Sequence, residues 1–287
     1  MKNFKELHPS VLIIYYLICI IVISLLNEPQ LVSIACLTMI ILLLSYSTLQ
    51  HVLNELVFIV SLTLLIVIGF LYFYHNGITP MFYLNDLPVT VEVLKYSMFT
   101  ALLVAFFLLS IQVMIHTLPS NRIIYVFTAF IPTVGVFLAL CIRFIPTIKE
   151  HYKERVEVQK INGYFATKSR FDRYFATLQL LADSIFWALE NTFNKWTLIK
   201  TRAFNTSRRT TFKRFSFNGS AYSQLILLLA ATITLLFYWD ELRFYYFPET
   251  KIIEQKSQHL VIILAMVWPL FLELKGRITW FYYKSKM

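Results

Sequence analysis

The sequence predicts an all-α, polytopic helical membrane protein that carries a long amphipathic helical segment between its spans. Three observations predict this. Of 287 residues, 58% are hydrophobic and only 15% charged, where a soluble domain carries about a quarter charged residues; the mean hydropathy is +0.64. The apolar residues fall into runs close to the ~20 needed to cross about 30 Å of hydrocarbon. The charge is concentrated: residues 147–214 hold 14 Lys and Arg against 6 Asp and Glu, so this block carries +8 of the formal +10. One basic block between apolar runs reads as a cytoplasmic loop under the positive-inside rule, and not as a nucleic-acid surface.

The first span covers residues 11–26 and ends at the turn sequence "NEPQ". No small-residue cleavage pattern follows it, so it is read as a retained span and not a signal peptide. Further spans are expected at 31–49, 56–74 and 94–115. Between the last two, "HNGITPMFYLNDLP" is rich in Gly, Pro and Asn and is expected to break both helix and strand.

The stretch from residue 119 repeats Phe-Ile-Pro-Thr, at 130–133 and again at 144–147. Each proline removes a backbone donor and clashes with the preceding turn, so Pro132 and Pro146 are expected to break or hinge the helix. A full crossing here would also place Lys2, Lys5 and Arg122 opposite the basic block. A broken, partly in-plane or re-entrant element is therefore expected, its freed backbone groups covered by protein.

Pro146 is expected to start the next helical piece, and "NGY" at 162–164 to end it through a left-handed cap. Beyond it, Phe171, Phe175, Leu178, Ala182, Ile185, Leu189, Thr192, Trp196, Ile199 and Ala203 recur at spacings of three and four. They predict one apolar stripe on an amphipathic helix or helix pair. Spans at 222–238 and 259–272 follow, then a basic tail. Four spans before the block and two after it place both termini and the block on the cytoplasmic side. The expected domains are 1–146, a membrane domain; 147–215, the cytoplasmic helical region; and 216–287, a membrane hairpin with a cytoplasmic tail.

Chemistry-bearing patterns are sparse. The glycines at 69, 77, 135, 163, 219 and 276 form no G-x-x-x-x-G-K-[ST] loop. The six histidines form no pair at metal spacing, and the acidic residues form no cluster for magnesium–diphosphate chemistry. Cys19, Cys36 and Cys141 all lie in apolar runs, which suggests neither disulfides nor a metal knuckle. Arg143 and Glu273 lie at expected span ends, where snorkelling to the interface is the ordinary explanation. No catalytic residue, cofactor site or metal site is expected. The basic block itself has two readings: contact with anionic lipid headgroups, or a docking platform for a soluble partner.

The order of apolar spans, then "RFIP" at 143–146, then two helical pieces each ending in a short motif, resembles the T component of energy-coupling-factor (ECF) importers of vitamins and metal ions. In that family each coupling helix ends in a small-Arg-small motif, and the second is followed by Arg-Thr. Here the second motif matches Thr201-Arg202-Ala203, followed by Arg209-Thr210. The first matches Ile161-Asn162-Gly163, with Asn162 where the family has arginine. The resemblance covers about residues 112–210. It implies a non-catalytic bacterial cell-membrane subunit in which Ile161, Asn162, Gly163, Thr201, Arg202, Ala203 and Arg209 dock two ABC-type ATPases. ATP would be bound by those partners, and a separate small membrane subunit would bind the substrate. A polytopic membrane enzyme or a lipid-binding scaffold is the alternative, and a secondary transporter a weaker one, since ionisable groups are scarce inside the expected spans.

Overall fold

The computed structural model describes residues 4–84, 87–163, 170–201, 215–242, 244–247 and 257–284. The chain is an all-α polytopic membrane protein. It divides into two compact units, Met1–Pro119 with Phe215–Met287, and Ser120–Arg214. The sequence expectation put the first boundary at 146/147 and kept the two membrane parts separate. The observed division differs because the C-terminal helices pack directly among the N-terminal ones.

In the first unit, a 3₁₀ turn at Phe4–Glu6 leads into α1 (Pro9–Leu26) and α2 (Pro29–Tyr46). "NEPQ" makes a sharp corner. Asn27 closes α1 in the left-handed region at φ 55°, which asparagine tolerates better than most residues, and Pro29 starts α2 with its fixed φ. α3 (Leu49–Phe73) and α4 (Val91–Thr117) follow, then α8 (Gly219–Phe237), the short α9 (Trp239–Leu242) and α10 (Ser257–Lys284). α1 packs on α4, α4 on α2, α2 on α10, α10 on α8 and α8 back on α1, closing a ring of five helices. α3 leans on α4 outside this ring, and only Val52 and Ile59 of it are buried.

Lipid is as apolar as leucine, so interhelical polar bonds and close packing hold such a ring together. The Tyr15 hydroxyl donates to the Met266 carbonyl at 3.0 Å, and Tyr16 pairs with the Thr117 hydroxyl at 3.0 Å. Gln224 Nε2 reaches the Ala265 carbonyl at 3.4 Å. At the α2 end, Tyr46 donates to the buried Glu273 carboxylate at 3.0 Å, while Arg277 lies 3.9 Å from that carboxylate and donates to the Ser45 carbonyl at 2.7 Å. Glu273 is therefore a buried tie between α10 and α2, and not the snorkelling residue expected from sequence. Tyr46→Phe should lower stability by about 1.5–3 kcal/mol, the scale of a hydrogen bond to a charged group. An unchanged thermal midpoint in detergent would rule out this tie.

Two expectations for this unit are corrected. The segment after α3 forms a small antiparallel hairpin, β1 (Pro80–Leu84) with β2 (Leu87–Thr90). Its prolines occupy places that a two-stranded ribbon tolerates, since each strand has a free edge. Gly77 at φ 137° lets the chain pass close to Thr90 and Glu92. α10 does not stop near Leu272: it passes Pro269 and continues to Lys284, whose ammonium lies 4.8 Å from the centre of the Trp280 ring one turn back.

The second unit holds α5 (Ser120–Phe130), α6 (Pro132–Ile161) and α7 (Arg170–Thr201). Ile131 is extended, at φ −131° and ψ 97°, as the residue before a proline prefers, and Pro132 opens α6. The break thus falls at Pro132 alone. Pro146 lies inside α6 and starts nothing, because a proline removes one backbone bond and the rest of a 30-residue helix carries through. Beside it, the Thr147 hydroxyl bonds the Arg143 carbonyl at 2.9 Å. Among the described residues seven helices are long and apolar enough to cross a membrane: α1 to α4, α6, α8 and α10. α6 is the addition to the six expected.

Candidate functional site

α6 and α7 pack against each other. The seam on α7 is made by Ala176, Leu180, Ser184 and Ala188, which are its buried residues. The small side chains of Ala176, Ser184 and Ala188 let two helix backbones approach closely, and Ser184 satisfies its hydroxyl on the Leu180 carbonyl at 2.8 Å. The apolar stripe read from the sequence is not this seam. Phe171, Phe175, Leu178 and Leu189 are exposed, and Ala182, Ile185, Thr192, Trp196 and Ile199 are half-buried. Ala203 lies outside the described residues. The sequence reading followed the bulky residues, and the close approach selected the small ones.

His151 of α6 and Trp187 of α7 stack with ring centroids 3.9 Å apart and planes 4° from parallel. His151 Nδ1 is buried without a hydrogen-bond partner. This aromatic pair ties α6, two-thirds of the way along it, to α7 just past its middle. Next to it, Arg155, Asp183, Phe186, Trp187, Glu190 and Phe193 line most of an open recess of about 680 Å³. The pair therefore presents an apolar, aromatic groove edged by both signs of charge.

The first motif position falls at the C-terminal end of α6, and the second begins at Thr201, the last residue of α7. At 1.5 Å per residue, Ile161 lies about 15 Å beyond His151 and Thr201 about 21 Å beyond Trp187. Ile161 is 86% exposed, so no described residue covers that tip. Asn162 ends α6, its amide donating to the Val158 carbonyl at 3.1 Å, and Gly163 follows at φ 71° with its amide on the Lys160 carbonyl at 3.2 Å. A side chain at Gly163 would meet nothing within 4 Å, so glycine is needed here for its backbone and not for space. At the other tip, the Thr201 hydroxyl turns back to the Leu198 carbonyl at 2.9 Å, and the Lys200 ammonium lies 5.4 Å from the Trp196 ring centre. Arg202, Ala203 and Arg209 lie outside the described residues. Pro132 is 30 residues of helix away from the first tip, at the start of α6, and Pro146 lies within it.

Sequence reading missed the small-residue seam and the His151–Trp187 stack. The spacing of Ala176, Leu180, Ser184 and Ala188 is the signal that could have found the seam. The stack pairs residues distant in sequence and leaves no local trace. No protein-family model matches the chain, and a search of curated proteins finds no similar one.

Proposed function

We propose that this chain is the energy-coupling membrane subunit of an ECF-type importer of vitamins or metal ions in a bacterial cell membrane. In this reading α6 does not cross the membrane, the other six long apolar helices do, both termini are cytoplasmic, and the chain catalyses nothing itself. Two ABC-type ATPases bind and hydrolyse ATP, and a separate small membrane subunit holds the substrate. The α6–α7 pair lies on the ATPases and passes their closure to the membrane helices.

The observation that carries the reading is the pairing of two long helices, stacked through His151 and Trp187, with a motif position at or just beyond the C-terminal end of each. Two such helix ends suit two ATPase subunits. Asn162 at the first tip offers an amide where the family has a guanidinium, so the heavier charge-assisted contact falls to Arg202 at the second. Arg202→Ala should weaken ATPase docking by about 1.5–3 kcal/mol while membrane insertion stays intact. Titration of the ATPase pair onto the detergent-solubilised chain measures this. Unchanged docking and unchanged transport in the variant would end the role assigned to Arg202.

A second reading is favoured by one feature. The exposed aromatic residues of α7, among them Phe171, Tyr174, Phe175, Phe186 and Phe193, would also suit a helix lying in a lipid interface. A pull-down of the tagged chain from its native membranes separates the two. ABC-type ATPases with a small apolar membrane protein support the coupling subunit, and anionic lipid without either protein supports the lipid-binding scaffold.

A further inference from the structure

The ribbon between α3 and α4 has one face packed on protein and one that is apolar and exposed. Its attachment to the first turn of α4 is well made. Val91 donates its amide to the Thr79 carbonyl at 3.1 Å, and the Thr79 hydroxyl donates to Glu92 Oε1 at 2.7 Å. The Thr90 hydroxyl donates to the Asn76 carbonyl at 2.7 Å, and Val89 and Thr90 are buried. Successive side chains of a strand point to opposite faces. Val89 faces the protein, so its neighbour Pro88 and the cross-strand partner Tyr83 stand on the other face. Tyr83 is 70% exposed there, and Met81, where the register shifts between Pro80 and Phe82, is 63% exposed. Ile78, just before the ribbon, is exposed as well. An antiparallel sheet with one face on protein ordinarily turns polar side chains to water on the other. Residues 76–84 contain no charged side chain to do so.

Where the ribbon is attached says what covers this face. α3 has 25 residues, about 37 Å at 1.5 Å per residue, against about 30 Å of hydrocarbon. Its last turn, with Tyr72 and Phe73 exposed, therefore reaches the boundary between acyl chains and headgroups, where aromatic side chains collect. α4 starts directly after β2 and is itself long and apolar enough to span. Both ends of the ribbon are thus tied to the same boundary. β1 has five residues and extends no more than about 17 Å from it. A protein partner is disfavoured by size. Ile78, Met81 and Tyr83 with Tyr72 and Phe73 make a narrow strip, where a stable protein interface takes about 20–30 residues a side. A bilayer sets no such minimum.

We propose that the exposed face of the ribbon is a membrane anchor, with Ile78, Met81 and Tyr83 set into the acyl–headgroup boundary beside the C-terminal end of α3. Its partner is the phospholipid surface as a whole and not one bound lipid. The anchor fixes the depth of α3, which stands outside the ring of five helices and leans on α4. Tyr83 suits the place because its ring is apolar and its hydroxyl can stay in the headgroup layer.

The test uses the full chain in vesicles of dioleoyl phosphatidylcholine. The photoreactive residue p-benzoylphenylalanine replaces Tyr83 in one preparation and Phe73, at the end of α3, in another, and adducts are read by mass spectrometry after irradiation. Lipid adducts are expected at both positions. Met81→Asp, combined with each reporter, should abolish the lipid adduct at position 83, because a carboxylate is costly in the acyl layer and draws the ribbon to water. The adduct at position 73 should persist, which shows that α3 is still inserted. Lipid adducts at position 73 with none at position 83, or an adduct at position 83 that is indifferent to Met81→Asp, overturn the anchor. In native membranes, a protein adduct at position 83 in place of lipid also overturns it, in favour of a docking surface.

Discussion

Glu28→Ala should be among the most damaging single substitutions in the membrane unit, at about 3–5 kcal/mol, while Glu28→Gln should be close to neutral. Glu28 sits in the corner between α1 and α2 and faces His259 at the start of α10, with Oε2 and Nε2 3.0 Å apart and both side chains buried. The corner is closed over by the segment after α9. Phe244 donates its amide to the Leu26 carbonyl at 2.9 Å, and the Tyr246 hydroxyl bonds the Asn27 carbonyl at 3.2 Å. Burial pushes the Glu28 carboxyl above the usual carboxylate range, and the His259 imidazole opposes that push. Removing either member leaves a buried polar group without its partner, which is where the large penalty arises. Glutamine keeps a neutral donor against the imidazole.

The pH dependence follows from the direction of the shift. A carboxyl whose pKa is raised on folding favours the fold fully below the unfolded value, and its contribution is lost as pH rises through the folded value. Thermal unfolding in detergent across the range above the ordinary carboxylate pKa should therefore show wild-type stability falling relative to Glu28→Gln as pH rises. Equal stability of the alanine and glutamine variants would mean that the corner does not depend on this pair.

Much of the membrane architecture is legible in the sequence because lipid offers the backbone no hydrogen-bond partner. The runs at 11–26, 31–49, 56–74 and 94–115 can only be helices, and they became α1 to α4 with ends moved by a few residues. The "NEPQ" corner was legible for a local reason, since asparagine tolerates a left-handed cap and proline starts a helix. The end of α6 at Asn162 and Gly163 was legible in the same way. What failed was the inference from single breakers. Pro146 is absorbed inside a helix that carries through on either side of it, and the prolines of the 80–90 segment sit in a ribbon that leaves free edges. Pairings between distant segments left no sequence trace: Glu28 with His259, Tyr46 with Glu273, His151 with Trp187. At the candidate coupling site the helix ends were readable and the packing face was not, because bulky exposed residues dominate an apolar pattern while the contact itself is made by Ala176, Ser184 and Ala188.

Gly135→Leu should open the junction between α5 and α6, and Gly135→Ala should do so in smaller measure. Gly135 is buried in the first turn of α6, directly against Thr128 of α5. A Cβ there would collide with the Thr128 hydroxyl and lie 2.6 Å from the Thr128 Cα, where ordinary contact begins at 3.4 Å. A hydroxyl can rotate away, but a Cα moves only if α5 moves. Overpacking of this kind costs about 1–3 kcal/mol, and more when backbone must shift. Thr128→Ala removes the hydroxyl and leaves the Cα in place, so it should rescue Gly135→Ala only in part. Amide hydrogen exchange on the full chain is the measurement: faster exchange at residues 120–136, with α7 unchanged, is expected. If the second unit transmits force as proposed, Gly135→Leu should keep ATPase docking at the helix tips and lose transport, since a loosened α5–α6 junction leaves the docked pair poorly tied to the break at Pro132. Normal exchange and normal transport together would mean that the close approach at Gly135 is dispensable.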